Sequence, residues 1–242
     1  MMYERAIVVG ASSGIGAELV IQLAARGCKV AAVARRIDRL EALALADPEH
    51  IFGYQHDVRD YDAAPAAFAE ITKHLGGLDL VIYASGVMPE VGPGEFDFEK
   101  DREIIEVNTL GAMAWLDLAA VRFSQVGAGT IVGIGSVAGD RGRAGQPAYH
   151  ASKAALATYL ESLRNRLWKK GVEVVTIKPG PVQTEMTKRL GLKNAMPADK
   201  AAELILKKSA KTGEHYLKIT HRVIFAIIRL IPGPLFRRLP LP

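Results

Sequence analysis

Apolar residues in this chain gather in short unbroken runs rather than in strict alternation with polar ones. Six runs have strand length: "AIVVG" from Ala6, "KVAAVAR" from Lys29, "IFGYQHD" from Ile51, "LDLVIYASG" from Leu78, "GTIVGIGS" from Gly129 and "VEVVTIKPG" from Val172. Runs of this kind indicate strands buried on both faces, as in a parallel sheet covered by helices. Helical segments are predicted between them, starting near Ile15, Ile37, Tyr61, Asp97, Pro147 and Pro197, and "HYLKIT" from His215 supplies a last strand. Strand and helix in regular alternation predict a doubly wound α/β fold. No low-complexity linker or repeat divides residues 1–242, so one domain is expected, with 221–242 as an apolar and basic C-terminal extension. Ligands of such folds sit outside the carboxyl ends of the strands, where strand order reverses. The chemistry is therefore sought at those strand ends.

Composition narrows the picture only a little. The 242 residues, 49 % of them hydrophobic, suffice for one large core. A lone cysteine, Cys28, excludes an intrachain disulfide framework and suits a reducing cytosol. The start "MMYERAIVVG" has no basic region leading into a long apolar segment and cleavage site, so a cytoplasmic location is expected. The net charge of +5 is uneven: from His215 onward there are Lys218, Arg222, Arg229, Arg237 and Arg238 and no acidic residue. Nucleic-acid binding would rest on that charge alone, without a stacking motif or a basic stripe.

The first strand ends in "VVGASSGIG", where Gly10, Gly14 and Gly16 form a GxxxGxG turn that opens into a helix. Glycines permit a close backbone approach, and the helix N-terminus offers free N–H groups to a pyrophosphate. Strand, glycine turn and helix at the start of a βαβ unit point to dinucleotide binding, with Ser12, Ser13 and Ile15 in the same loop. The second strand ends in Arg35 and Arg36, where an acidic residue would bind the ribose hydroxyl of NAD. Guanidinium groups fit a phosphate instead, which favours NADP(H) over NAD(H), against the alternative of a solvated basic start to the next helix. Asp57, beside Val58 at the end of the third run, either meets the adenine edge or caps the following helix. No Cys/His cluster has metal-ligand spacing, so no metal is expected.

"PAYHASKAAL" places Tyr149 and Lys153 at i and i+4, on one face of a helix. With GASSGIG at 10–16, "VNTLGA" around Asn108, "GSVAG" at 135–139, YHASK at 149–153 and "PGPVQT" at 179–184, the chain resembles the short-chain dehydrogenase/reductase family. The resemblance is to its compact, single-domain branch and spans roughly residues 4 to 190. It implies a Rossmann-type, mainly parallel, seven-stranded sheet flanked by helices. It also implies a catalytic tetrad of Asn108, Ser136, Tyr149 and Lys153. Tyr149 would exchange a proton with a carbonyl or alcohol oxygen, made more acidic by the charges of Lys153 and oxidised nicotinamide. Ser136 would bond the same oxygen, Asn108 would hold a water linking Lys153 to solvent, and Lys153 would contact the nicotinamide ribose. Val182 and Thr184, after Pro179 and Gly180, would meet the nicotinamide carboxamide; Ala84 and Gly86 would border the cofactor after the fourth strand. Singly, Tyr149 reads equally as a packing tyrosine, Ser136 as a helix cap and Asn108 as a buried structural amide. His150 reads as a helix-interface or surface residue.

Three departures from the family pattern stand out. Val9 replaces the usual threonine before the first glycine. "YASG" at 83–86 replaces Asn-Asn-Ala-Gly, expected to alter the cofactor side of strand four without reaching the tetrad. The ending "HRVIFAIIRLIPGPLFRRLPLP" lies on an anionic membrane, covers the substrate pocket or packs on a second subunit. Pro232, Pro234 and Pro240 preclude one long helix there. The loops "MPEVGPGEFD" and "DRGRAGQ" and residues 185–196 should line the pocket.

The expected activity is an NADP(H)-dependent interconversion of a carbonyl and a secondary alcohol on a small or lipophilic substrate. The expected assembly is a homodimer or homotetramer, built through the alanine-rich helix that carries Tyr149. The rival of another class is a cofactor-binding sensor or scaffold without turnover. A sugar-nucleotide epimerase would need a GxxGxxG turn and a larger C-terminal domain.

Overall fold

The computed structural model describes residues 3–92, 94–188, 191 and 194–239. Pro93, Pro240 and residues 189, 190, 192 and 193, all within segments singled out above, lie outside them. The seven strands are β1 (Arg5–Val9), β2 (Lys29–Ala34), β3 (Ile51–Gln55), β4 (Leu80–Tyr83), β5 (Gly129–Ile134), β6 (Val172–Lys178) and β7 (Gly213–Tyr216). They form one sheet in the order β3-β2-β1-β4-β5-β6-β7, and every neighbouring pair is parallel. Strand order reverses at β1, where Val9 lies opposite Val33 on one side and Tyr83 on the other. This is the crevice in which a doubly wound sheet holds a ligand.

Among the described residues, ten α-helices accompany the strands: α1 (Gly14–Ala24), α2 (Ile37–Ala46), α3 (Ala64–Leu75), α4 (Phe98–Ile105), α5 (Gly111–Val126), α6 (Pro147–Leu167), α7 (Glu185–Lys188), α8 (Ala198–Lys208), and, after the last strand, α9 (Ile219–Leu230) and α10 (Gly233–Phe236). The helix predicted near Tyr61 starts at Ala64, with Pro65 in its first turn. The one predicted near Asp97 starts at Phe98. Asp97 caps α4, its carboxylate accepting from the amides of Glu99 and Lys100 at 3.0 and 3.2 Å. The helix then passes through a five-residue π turn, Glu106–Leu110, straight into α5. The last strand is shifted toward the N-terminus: β7 ends at Tyr216, and most of "HYLKIT" leads into α9.

Alternate residues of each central strand feed two apolar layers. Ile7, Val9, Val81 and Ile131 face Phe68, Trp115, Phe123 and Leu160 of α3, α5 and α6. Ala6, Val8, Ile82 and Val132 face Leu19, Leu40 and Ile205 of α1, α2 and α8, in a layer that also buries Cys28. Each such large side chain contributes roughly 1.5–3 kcal/mol relative to exposure. That fixes the two helical layers and hence the positions of the strand ends between them. Burial pushes the Cys28 thiol up to about 12, which keeps it chemically quiet.

Two local features place α6. Pro147 occupies its first turn, where a missing N–H costs nothing. Gln146 before it has φ 58° and ψ 53°, a left-handed conformation costing roughly 1–2 kcal/mol for a residue with a Cβ. Its side-chain Nε2 donates to the Pro89 carbonyl at 3.1 Å, and its own carbonyl accepts from the His150 amide at 3.2 Å.

Candidate active site

A cleft of about 590 Å³ follows the carboxyl ends of the strands, from the glycine turn after β1 to the start of α6. At one end the chain has no room for side chains. Gly10 has φ 91°, and a Cβ there would overlap the Ser85 backbone; a Cβ on Gly16 would overlap the Gly10 carbonyl. The turn is held to β2 by the Gly10 and Ala11 amides, which donate to the Val33 carbonyl at 2.8 and 3.1 Å. Ser13 precedes α1 without a side-chain cap, so the first amides of the helix remain available to an anion.

The two arginines after β2 are not equivalent. Arg36 donates to the Ser12 hydroxyl at 2.8 and 3.1 Å and to that of Ser13 at 2.7 Å, and forms an ion pair of 3.0 Å with Glu185. Arg35 is half exposed and only 4.0 Å from Asp57. Asp57 is engaged mainly by Arg59, which donates to it at 2.7 Å and holds its carboxyl below the usual carboxylate range. The cleft is lined by His56 and Val58, on either side of Asp57, rather than by Asp57 itself.

At the other end, the π turn between α4 and α5 delivers Asn108. This residue is fully buried; its Oδ1 accepts from the Val87 amide at 2.8 Å, and its Nδ2 donates to the Val87 carbonyl and the Ser152 hydroxyl, each at 3.1 Å. The departure at 83–86 reaches this turn after all. The buried Tyr83 donates its hydroxyl to the Val107 carbonyl at 2.5 Å, beside Asn108. Ala84 and Gly86 line the cleft, and a Cβ on Gly86 would stand 3.3 Å from Asn108 Oδ1 and 3.4 Å from Lys153 Nζ. Asn108 and Lys153 therefore flank the same point of backbone.

Lys153 is buried, and its Nζ donates to the Ile134 carbonyl at 3.0 Å. With no carboxylate beside it, desolvation lowers its pKa to about 8. The Nζ lies 5.8 Å from the centre of the Tyr149 ring. Burial pushes the Tyr149 phenol above its ordinary value; a hydrogen bond with Ser136 and the charge of Arg143 pull only partly against it. Without the cofactor, burial outweighs these groups, and the phenol is held in its protonated form. Ser136 has both roles open to it: its Oγ accepts from the Ala138 amide at 3.0 Å, capping a short 3₁₀ turn, and it reaches the phenol. His150 is buried and turned away, its Nε2 accepting from Arg143 Nε at 3.0 Å.

Pro179, Gly180, Val182 and Thr184 follow β6 and close the cleft over Gly14, where a Cβ would lie 2.9 Å from Thr184 Cγ2. The cleft thus gathers the glycine turn, Ser12, Ser13, Ile15, both arginines, Val58, Ala84, Gly86, Ser136, Tyr149, Lys153 and the segment after β6. Neither Asn108, which is fully buried, nor Asp57 lines it. Met88, Pro89 and Met186 line the cleft from segments expected to do so, whereas sequence reasoning missed His56 and Glu103. Glu103 lies on the unremarked face of α4 and carried no signal.

The model of the short chain dehydrogenase family matches residues 4–195. An uncharacterized oxidoreductase of Myxococcus xanthus is 40 % identical over 190 residues, covering 77 % of this chain and 75 % of that protein. The 3-oxoacyl-[acyl-carrier-protein] reductase MabA of Mycobacterium avium is 33 % identical over 184 residues, 76 % of this chain and 69 % of that protein. Among solved structures, a short chain dehydrogenase of Burkholderia cenocepacia in complex with NADP superposes with a TM-score of 0.86. It is 24 % identical, and the match covers 99 % of this chain and 98 % of that one. The chain belongs to the short-chain dehydrogenase/reductase family of oxidoreductases.

Proposed function

We propose that this protein is an NADP(H)-dependent reductase that interconverts a carbonyl and a secondary alcohol on a small or lipophilic substrate, with Tyr149 as the acid/base. The observation that carries the reading is the meeting of Tyr149, Ser136 and Lys153 in a cleft that runs up to the glycine turn. The residues present fit a dinucleotide. At Gly10, Gly14 and Gly16 a Cβ would collide with neighbouring protein atoms, so the turn is bare backbone, and the uncapped start of α1 beside it supplies amides for a pyrophosphate. Arg35 and the Arg36–Ser12–Ser13 group supply cationic and hydroxyl donors for a further phosphate, which favours NADP(H). NADP is also the ligand named for the Burkholderia structure. Bound there, the nicotinamide would supply hydride to the carbonyl carbon.

The chain's own residues then handle the proton. The raised pKa of Tyr149 keeps the phenol protonated at neutral pH, the form needed to donate to a carbonyl oxygen as it gains charge. Ser136, which lines the cleft beside that phenol and pulls its pKa down against burial, offers a second donor to the same oxygen. Lys153 stabilises the phenolate left after proton transfer, and the polar contacts of Asn108 hold the surrounding backbone in place. The test is NADPH oxidation by the purified protein against ketones of increasing chain length, with Tyr149→Phe alongside. Turnover should fall by roughly 10²–10⁴-fold in the variant, while NADPH binding measured by fluorescence stays unchanged. Turnover that survives in Tyr149→Phe would remove the phenol from the mechanism. Tight NADPH binding without turnover on any ketone would favour a sensor.

A further inference from the structure

The C-terminal helices carry apolar surface on the outside. In α9, His221, Phe225 and Ile228 are the partly buried positions, three on one helical stripe. The opposite arc holds Ile219, Val223, Ile224, Ile227 and Leu230, exposed by between 48 % (Ile224) and 83 % (Leu230). Leu235 and Leu239 continue this apolar surface beyond the Pro232–Pro234 turn. Single exposed leucines need no explanation, but a contiguous face of this kind marks an interaction surface.

The face is held rigidly. Arg141 Nη1 donates to the carbonyls of Ile228, Arg229 and Ile231 at 2.8, 3.2 and 2.6 Å, and its guanidinium stacks 4.2 Å from the centre of the Phe236 ring. Arg229 pairs with the buried Asp140. His221 packs where a Cβ on Gly180 would be, so α9 stands beside the mouth of the cleft.

The charges decide what covers it. Lys218, Arg222, Arg237 and Arg238 are exposed, with no acidic partner among the described residues, and the chain has no carboxylate side chain after Glu214. A two-fold contact between copies would set these cations near one another without counter-charges of the tail's own. An anionic surface would be attracted by all of them. At twelve residues, α9 is about 18 Å long and too short to span a bilayer core of about 30 Å, whereas a helix lying flat sinks an apolar face and leaves its cations at the headgroups. We propose that α9 and α10 dock the protein on an anionic lipid bilayer, with the cleft opening beside the lipid surface. The docking stands on the tail alone; the consequence that substrate enters from the lipid rests on the reductase reading above.

The experiment is co-sedimentation of the full chain with vesicles of phosphatidylcholine, with and without phosphatidylglycerol, in the absence of any substrate. The wild-type protein should partition onto the anionic vesicles at least about tenfold more strongly than onto neutral ones, and less so in high salt. Val223→Glu/Ile227→Glu should abolish binding, and Arg237→Gln/Arg238→Gln should weaken it about tenfold or more on anionic vesicles alone. Because all four side chains are exposed, thermal unfolding and turnover of a soluble ketone should be unchanged in both variants. The proposal is overturned if wild type ignores anionic vesicles, if it binds neutral ones equally, or if both variants bind as wild type does. It is equally overturned if wild type ignores vesicles and Val223→Glu/Ile227→Glu splits a stable oligomer, since a second copy then covers the face. Vesicle binding and ketone turnover are read separately, so either can fail without the other.

Discussion

Lys153 is a buried ammonium without a counter-charge, and removing it should make the protein more stable. Desolvation alone brings its pKa from 10.5 to about 8, a difference equivalent to about 3 kcal/mol against the charged folded state at neutral pH. Methionine has nearly the same length and no charge. Lys153→Met relieves that penalty but leaves the Ile134 carbonyl without its donor, which costs about 1 kcal/mol. The net expectation is a gain of about 2 kcal/mol at pH 7, or roughly 4–8 °C in Tm for a chain of this size. The pH dependence has a definite sign. Because the folded pKa is depressed, the unfolded chain holds the proton more tightly. The penalty is complete below pH 8, shrinks as pH rises from about 8 to 10.5, and vanishes above that. Denaturant unfolding of both proteins, without cofactor, across pH 7 to 10.5 measures the difference, and other titrating groups cancel. A variant less stable than wild type at pH 7, or a gap that does not close as pH rises, would refute the reasoning. Reductase turnover should be lost in the same variant, giving opposite effects on stability and activity from one substitution.

Arg35→Ala should raise the KM for NADPH by about tenfold or more and leave that for NADH nearly unchanged, because one charge-assisted phosphate contact is lost; steady-state kinetics with both cofactors reads this. Gly16→Ala, whose Cβ would overlap the Gly10 carbonyl, should destabilise by roughly 1–3 kcal/mol and abolish NADPH binding, seen as the loss of cofactor-induced stabilisation in a thermal shift. Tyr83→Phe should cost roughly 1–3 kcal/mol in urea unfolding by leaving the Val107 carbonyl unpaired in the core. An undiminished midpoint in that variant would show that the π turn is held by other contacts.

The fold was legible because its signals are periodic and local. Unbroken apolar runs such as "AIVVG" and "GTIVGIGS" record burial on both faces, and the GxxxGxG turn marks the first strand end by steric need. What escaped depends on contacts distant in sequence. The π turn at 106–110 leaves no periodic trace, because one extra residue in a helix of 3.6-residue repeat looks like ordinary drift. That Tyr83 would tie this turn to β4 follows only once β4 and α5 are packed side by side. The raised pKa of Tyr149 is likewise a property of depth, whereas spacing from Lys153 reports direction along a helix and nothing of solvation. Glu185, which reaches back to Arg36 across 149 positions, could not have been paired with it from the sequence.

Asp140 gives the tail a line of communication. It ends the 3₁₀ turn capped by Ser136, and its side chain is fully buried, bound by Lys178 of β6 at 2.7 Å, by the Tyr216 hydroxyl of β7 at 2.9 Å and by Arg229 of α9. Next to it, Arg141 spends its guanidinium on the last carbonyls of α9. Any force that lifts or tilts α9 must therefore break these bonds or drag the serine turn with it. A surface that engages the tail has a mechanical lever on the turn that begins at Ser136, and truncating the chain before Ile219 would cut the lever rather than merely trim an appendage.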